Sequence, residues 1–258
     1  MSTTSASMLA IRTASSIAAV RGEPGLRDQS QRVTADRMSE IHQERWTANI
    51  DVRRLLAALL CQPDWEVLTE ESVVPRLVAA LKGLLPGNTD GMDVFLTALD
   101  KEDQETLLTE YTRLFIGPDR LPAAPYGSVY LAPGRQVFAE TTEEVRRLYA
   151  EEGLALAEGL HEPPDHVALE FEFAAFLLEK AAQAWLRGDS EEAERLLAKA
   201  RHFESKLLRS WLPTLAASIE AAAETSFYRG VARSLVLYCD SEMPTLPGSA
   251  GSGEEQRS

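Results

Sequence analysis

Apolar positions recur along this chain at the three-and-four spacing of a helical stripe rather than at alternate residues. Val52, Leu55, Leu56, Leu59 and Leu60 form the first such stripe, which stops before Pro63, a residue that cannot continue a helix. Further helices are predicted over 72–84, 91–99 and 103–116; in the last, Leu107, Leu108, Tyr111, Leu114 and Phe115 share one side and Gly117-Pro118 ends the run. The segment 117–139 interleaves prolines and glycines with Tyr126, Tyr130 and Phe138, which predicts a long ordered loop packed across a groove. Thr141, with Glu144 three residues later, has the spacing of a capping box for a helix ending at Gly153. After a second loop, residues 167–186 are the most apolar stretch and predict the central helix. Gly188 closes it, Asp189 or Ser190 caps a helix reaching Trp211-Leu212-Pro213, and two more helices are expected near 213–224 and 227–239. With no paired alternating runs and no fixed-period repeat, the fold class is all-α: a single globular bundle of roughly eight to ten helices.

The two ends read differently. Residues 1–46, rich in Ser, Thr, Ala and Arg, are expected to be a mostly disordered tail, and Arg12 interrupts the only stretch that could serve as a secretory signal. Residues 241–258, with the run PTLPGSAGSGEEQRS, are expected to be a second disordered tail, leaving 47–240 as the helical domain. No stretch approaches the roughly 18 apolar residues of a membrane span, so stable membrane insertion is not expected.

Charge narrows the partners. The 258 residues hold 40 Asp and Glu against 26 Lys and Arg, a net charge of −14. Such a surface repels phosphate backbones, so nucleic acid is a poor partner and basic segments are good ones. Residues 1–46 carry six arginines and five acids, so the negative excess belongs to the helical part. Cys61 and Cys239 stand alone, outside any Cys or His cluster, which fits two plain core thiols in a reducing cytoplasm and neither a disulfide framework nor a metal site.

The residues with most chemical character are Glu162-Pro163-Pro164-Asp165-His166 at the entrance of the central helix. Asp165 suits an N-cap whose oxygen accepts from a first-turn amide, and the two prolines fix the approach of the chain. At about 100° per residue, Glu172, Glu179 and Gln183 fall within about 40° of one another, a solvated stripe from which Glu170 lies about 160° away from Glu172. A carboxylate on an apolar face needs a partner, either an internal donor or a cationic ligand, and both options bring the 117–139 loop against this helix. His166 as a base, with Asp165 orienting it and Ser128 or Tyr130 as partner, would be the enzymatic arrangement. The sequence lacks a Gly-rich nucleophile elbow, an HExxH pair and a phosphate loop, so no enzyme, cofactor or metal is assigned.

Three separated elements resemble one family. Glu110-Tyr111-Thr112-Arg113-Leu114-Phe115 before Gly117-Pro118, then Pro125-Tyr126-Gly127-Ser128-Val129-Tyr130, then Glu162-Pro163-Pro164-Asp165-His166 resemble, in order and spacing, the TorD/DmsD/NarJ family of redox-enzyme maturation chaperones. Trp211-Leu212-Pro213 is similar to that family's late W-x-P, and the likeness covers roughly residues 48–240. The long N-terminal tail and Leu207-Leu208-Arg209-Ser210, where relatives are often basic, depart from the pattern. The resemblance implies an all-helical cytoplasmic chaperone for the catalytic subunit of a dimethyl-sulfoxide-reductase-type molybdoenzyme. Such a chaperone binds the client's twin-arginine leader and apo form, assists cofactor insertion and delays export. It implies a monomer or a domain-swapped homodimer. Carried over, the leader-binding residues are Tyr126, Ser128, Tyr130, Asp165 and His166, supported by Leu114, Phe115, Glu162 and Pro163; geometry adds Glu170. A cationic, leucine-rich leader calls for carboxylates beside an aromatic groove. A helical scaffold or a nucleotide-binding protein without leader recognition is the alternative.

Overall fold

The computed structural model describes residues 29–117, 121–134, 137–157 and 159–246, with side chains from residue 41 onward. Helices α1 (Gln29–Leu59), α2 (Trp65–Glu70), α3 (Val73–Leu84), α4 (Met92–Leu96) and α5 (Gln104–Tyr111) form the first half. The second half holds α6 (Gly127–Leu131), α7 (Glu140–Glu151), α8 (Val167–Leu186), α9 (Ser190–Phe203), α10 (Arg209–Ala222) and α11 (Ser226–Asp240). The architecture is all-α, with no strand among the described residues and one isolated antiparallel bridge between Tyr126 and His166.

Helix α8 is the axis of the bundle because apolar residues surround most of it: Phe171, Phe173, Ala174, Leu177, Leu178 and Ala181 are buried, between α9 on one side and α1 on the other. Helices α10 and α11 pair beside them, and α3 covers α1. Gly230 on α11 lets α4 approach: a Cβ there would stand 2.2 Å from the Phe95 ring. A network of charge is sealed inside. Arg53 of α1 donates to Glu204 at 2.8 Å, Arg209 donates to the other carboxylate oxygen at 2.9 Å, and the Tyr238 hydroxyl donates to it at 2.6 Å. Burial pushes the Glu204 carboxyl up, but the Arg53 and Arg209 charges prevail and hold it below the ordinary carboxylate value.

Several boundaries differ from the sequence reading. Helix α1 starts at Gln29, inside the segment read as tail, and Trp46 belongs to the core, its indole N–H donating to the Leu178 carbonyl at 3.3 Å. The tail expectations for residues 1–28 and 247–258 lie outside the described residues. The predicted helix over 103–116 divides into α5 and a π turn, Thr112–Ile116. The 117–139 loop contains the single-turn helix α6, and Phe138 is 66% exposed instead of packed. Helix α7 begins at Glu140, and the hydroxyl that serves its start is that of Thr142, which accepts from the Ala139 N–H at 3.2 Å, in place of Thr141. Pro213 does not end a helix: α9 runs through a π turn, Glu204–Leu208, into α10, and the proline follows directly on that widened turn. Counted with α9–α10 as one, the described residues hold ten α-helices.

Candidate functional site

The candidate site is the meeting of two loops with the start of α8. Residues 125–127 lie beside 165–167 through the bridge at Tyr126 and His166: the Gly127 N–H donates to the Asp165 carbonyl at 2.9 Å and the Val167 N–H to the Pro125 carbonyl at 2.8 Å. Helix α7 contributes Tyr149, whose hydroxyl donates to the Pro164 carbonyl at 3.0 Å. The backbone of Pro163-Pro164-Asp165-His166 is thereby held along its length, since the His166 N–H also donates to the Pro163 carbonyl at 3.0 Å.

Asp165 does not cap its own helix. The Nδ1 of His166 accepts from the Ala168 N–H at 3.2 Å and takes that role, while Asp165 Oδ2 accepts from the Ser128 N–H at 2.7 Å and caps the first turn of α6 instead. A ring nitrogen that accepts an amide must be unprotonated, and burial lowers the His166 pKa to about 4. That nitrogen is therefore unavailable as a general base. The hydroxyl of Ser128 and Oδ1 of Asp165 are buried without a hydrogen-bond partner among the described residues.

Above this frame sits an aromatic layer. Tyr126 meets His166 edge-on at 5.5 Å between ring centroids and donates its hydroxyl to Glu162 at 3.0 Å. Tyr130 stacks on Trp211 at 5.2 Å, and the Trp211 indole N–H donates to Glu170 at 3.3 Å. Burial, then the Asp165 charge, pushes the Glu170 carboxyl well above its ordinary value, against the weaker pull of the indole N–H. Gly127 sits close beneath this layer: a Cβ would come within 3.1 Å of Trp211 Nε1 and 3.3 Å of Glu170 Oε1, so either side chain would have to shift slightly to admit one. Beneath, Leu114 and Phe115 on the π turn are buried, and the Leu114 carbonyl accepts from the Ala123 N–H at 3.2 Å.

Nine of the ten residues singled out from sequence are linked to this junction, at two depths, while Phe115 packs on Tyr111 and Tyr228. Tyr126, Tyr130 and Glu162 are half-buried and reach the surface, whereas Ser128, Asp165, His166, Glu170, Leu114, Phe115 and Pro163 lie underneath. Trp211, Tyr149 and Gly127 join the site in the folded chain, beyond the residues that the sequence points to. An indole N–H on an apolar helix face has to find an acceptor, and that requirement was the available signal for Trp211. The stripe read as solvated is so only in part: Gln183 is exposed, whereas Glu179 pairs with Arg54 of α1 at 2.6 Å and Glu172 is half-buried. Both cysteines are half-buried thiols, with burial pushing Cys61 up to about 12 and Cys239 to about 11.

Residues 81–217, more than half of the chain, match the family described as nitrate reductase delta subunit. This chain belongs to the TorD/DmsD/NarJ family of redox-enzyme maturation chaperones. Among the family's relatives, the chaperone protein TorD of Vibrio parahaemolyticus is 29% identical over 168 residues, 65% of this chain and 77% of its own length. TorD of Photobacterium profundum is 28% identical over 171 residues, 64% of this chain and 78% of that one. The Tat proofreading chaperone DmsD of Haemophilus influenzae is 38% identical over 85 residues, covering 33% of this chain and 42% of its own. No helix among the described residues is long and apolar enough to cross a membrane.

Proposed function

We propose that this TorD/DmsD/NarJ member is a cytoplasmic chaperone dedicated to the catalytic subunit of a dimethyl-sulfoxide-reductase-type molybdoenzyme. It binds the client's twin-arginine leader and apo form, assists insertion of the cofactor, and holds back export until that is done. The reading is carried by the junction of the 121–131 and 162–170 segments, where the separated family elements form one aromatic and acidic surface. The names of the TorD and DmsD relatives support it.

Tyr126, Tyr130 and Glu162 are the contact residues of this reading. Ser128, Asp165, His166 and Glu170 set the shape of the surface from below, with Leu114, Phe115 and Pro163 as its base. The aromatic rings offer area to the leader's apolar stretch, and carboxylate pairs with arginine bidentately. Release to the export machinery calls for moderate affinity, since ordering a flexible leader offsets much of the gross contact energy. Titration of the full chain with the leader of a co-purifying precursor is expected to show binding at or below tens of micromolar, about 6 to 8 kcal/mol. Deleting the leader from the precursor should weaken the complex, and Tyr126→Ala should weaken leader binding while leaving the fold intact. No heat or shift at tens of micromolar would exclude leader recognition.

A further inference from the structure

On the far side of α10 from the aromatic junction, a groove of about 530 Å³ runs over α11 between α4 and α10. Helix α10 separates the two sites: Trp211 faces the junction, whereas Pro213, Ala217 and Glu220, which line the groove, lie about 180–240° round the helix from it. The groove is apolar at Val94 of α4, at Pro213 and Ala217 of α10 and at Val236 of α11, and all four are exposed. We propose that two copies of this chain meet here with their α11 helices antiparallel, Arg233 of each pairing with the partner's Asp240 across a two-fold axis at Val236.

The charge pattern of α11 identifies the occupant. At about 100° per residue, Arg229, Arg233, Val236 and Asp240 fall within about 60° of one another, a stripe with cations at its start, a valine in the middle and an acid at its end. That order opposes the helix dipole, which favours acids in the first turn and bases in the last. It is also unpaired within one copy. The side chains of Arg233 and Asp240 form no hydrogen bond or ion pair among the described residues, and Arg229 donates to the Ala223 carbonyl at 2.8 Å. Asp90 and Glu220 line the groove as well, but both are exposed at its rims and neither forms an ion pair with Arg229 or Arg233. Arg233 is half-buried beside apolar walls, and a guanidinium so placed calls for an acceptor.

A stripe that reads cation, valine, acid is complementary to itself once reversed, which is what a two-fold axis demands of an interface. With the axis at Val236, that residue meets the partner's Val236, and Arg233, one turn before it, meets the partner's Asp240, one turn after it. Each groove then receives the last turn of the partner's α11, whose terminal carbonyls also favour a guanidinium. A cationic leader would be repelled by Arg229 and Arg233, and an acidic segment by Asp90 and Glu220 at the rims. The second copy brings both signs in the opposite order. No helix is exchanged in this pairing, in contrast to a domain swap, and the junction of each copy stays open because Trp211 is turned away from the interface.

Sedimentation velocity and light scattering of the full chain, from about 1 to about 200 μM, follow the pairing. The 28.4 kDa chain is expected to approach twice that mass at the upper concentrations. Arg233→Glu and Asp240→Arg each set like charges face to face and are expected to weaken the dimer about tenfold or more. The double variant is expected to regain it, because the pair is reversed in both halves of the interface. Val236→Lys brings two ammonium groups together at the axis and is expected to give a monomer. Circular dichroism and thermal unfolding check the fold of each variant. A monomer at every concentration overturns the proposal. So does a dimer that survives Arg233→Glu and Val236→Lys, which places the contact on another face, and so do single losses that the double variant fails to regain. If Arg233→Glu does not fold, Asp240→Arg and Val236→Lys, both at exposed positions, decide alone.

Discussion

At the scale of single residues, His166 has the most testable role. Its Nδ1 accepts the amide of Ala168, and burial keeps the ring neutral in the folded protein down to about pH 4, whereas the unfolded chain takes up a proton near 6.5. Between those values the unfolded state binds more protons, so stability falls as the pH is lowered from 6.5 towards 4. Asparagine can accept the same amide without titrating. Urea unfolding across this range should therefore show a flatter stability profile for His166→Asn than for the unaltered chain. An unchanged profile would assign the slope to other groups. Glu170 acts with the opposite sign: its raised pKa contributes stability that is present in acid and lost as pH rises through the folded value. The sequence made the chemistry of Asp165 and His166 visible but not its direction. Asp165 is a good cap by type, yet the amide within its reach belongs to Ser128, 37 residues earlier, and only the folded chain brings it there.

At the scale of elements, sequence periodicity located the helices well because each must bury one face. It located their ends less well. Thr141 and Thr142 are equivalent in a capping pattern, and the one that serves is the one whose side chain turns inward. Neither π turn was legible, since a widened turn leaves the apolar spacing almost unchanged over one repeat. Pro213 looked like a stop for the same reason. The contact between α4 and α11 carries a prediction of its own. With a Cβ at position 230 placed 2.2 Å from Phe95, Gly230→Ala should cost about 1–3 kcal/mol in chemical denaturation, and trimming the ring with Phe95→Leu in the same chain should recover part of it. A neutral Gly230→Ala would mean that α4 can move away freely.

At the scale of the whole molecule, the acidity divides between external and internal uses. Glu102 and Glu110 accept the first amides of α11, Glu152 pairs with Arg195 and Lys199, and Glu204 neutralises Arg53 and Arg209 inside the bundle. Net charge alone could not separate these from carboxylates free to meet a basic partner, because the partners lie more than a hundred residues apart in several cases. Glu204→Gln leaves the buried Arg53 and the half-buried Arg209 without their counter-charge and is expected to cost about 3–5 kcal/mol by chemical denaturation at neutral pH. Because the Glu204 pKa is lowered, its contribution is complete above 4.5, the value of a free glutamate, and is lost as the pH falls through the folded value. A loss under about 1 kcal/mol would show that the arginines find water or other acceptors once the carboxylate is gone.

Trp211 also fixes an order of events during synthesis. Chains emerge from the ribosome at about 5–20 residues per second, N-terminal segments first. Tyr130 and Glu170 are both made well before the indole that stacks on one and donates to the other. Until residue 211 is free of the ribosome, Glu170 has no indole donor and the aromatic layer no floor. The nascent protein therefore carries the 125–130 and 162–170 segments for dozens of residues before the indole that joins them has been made.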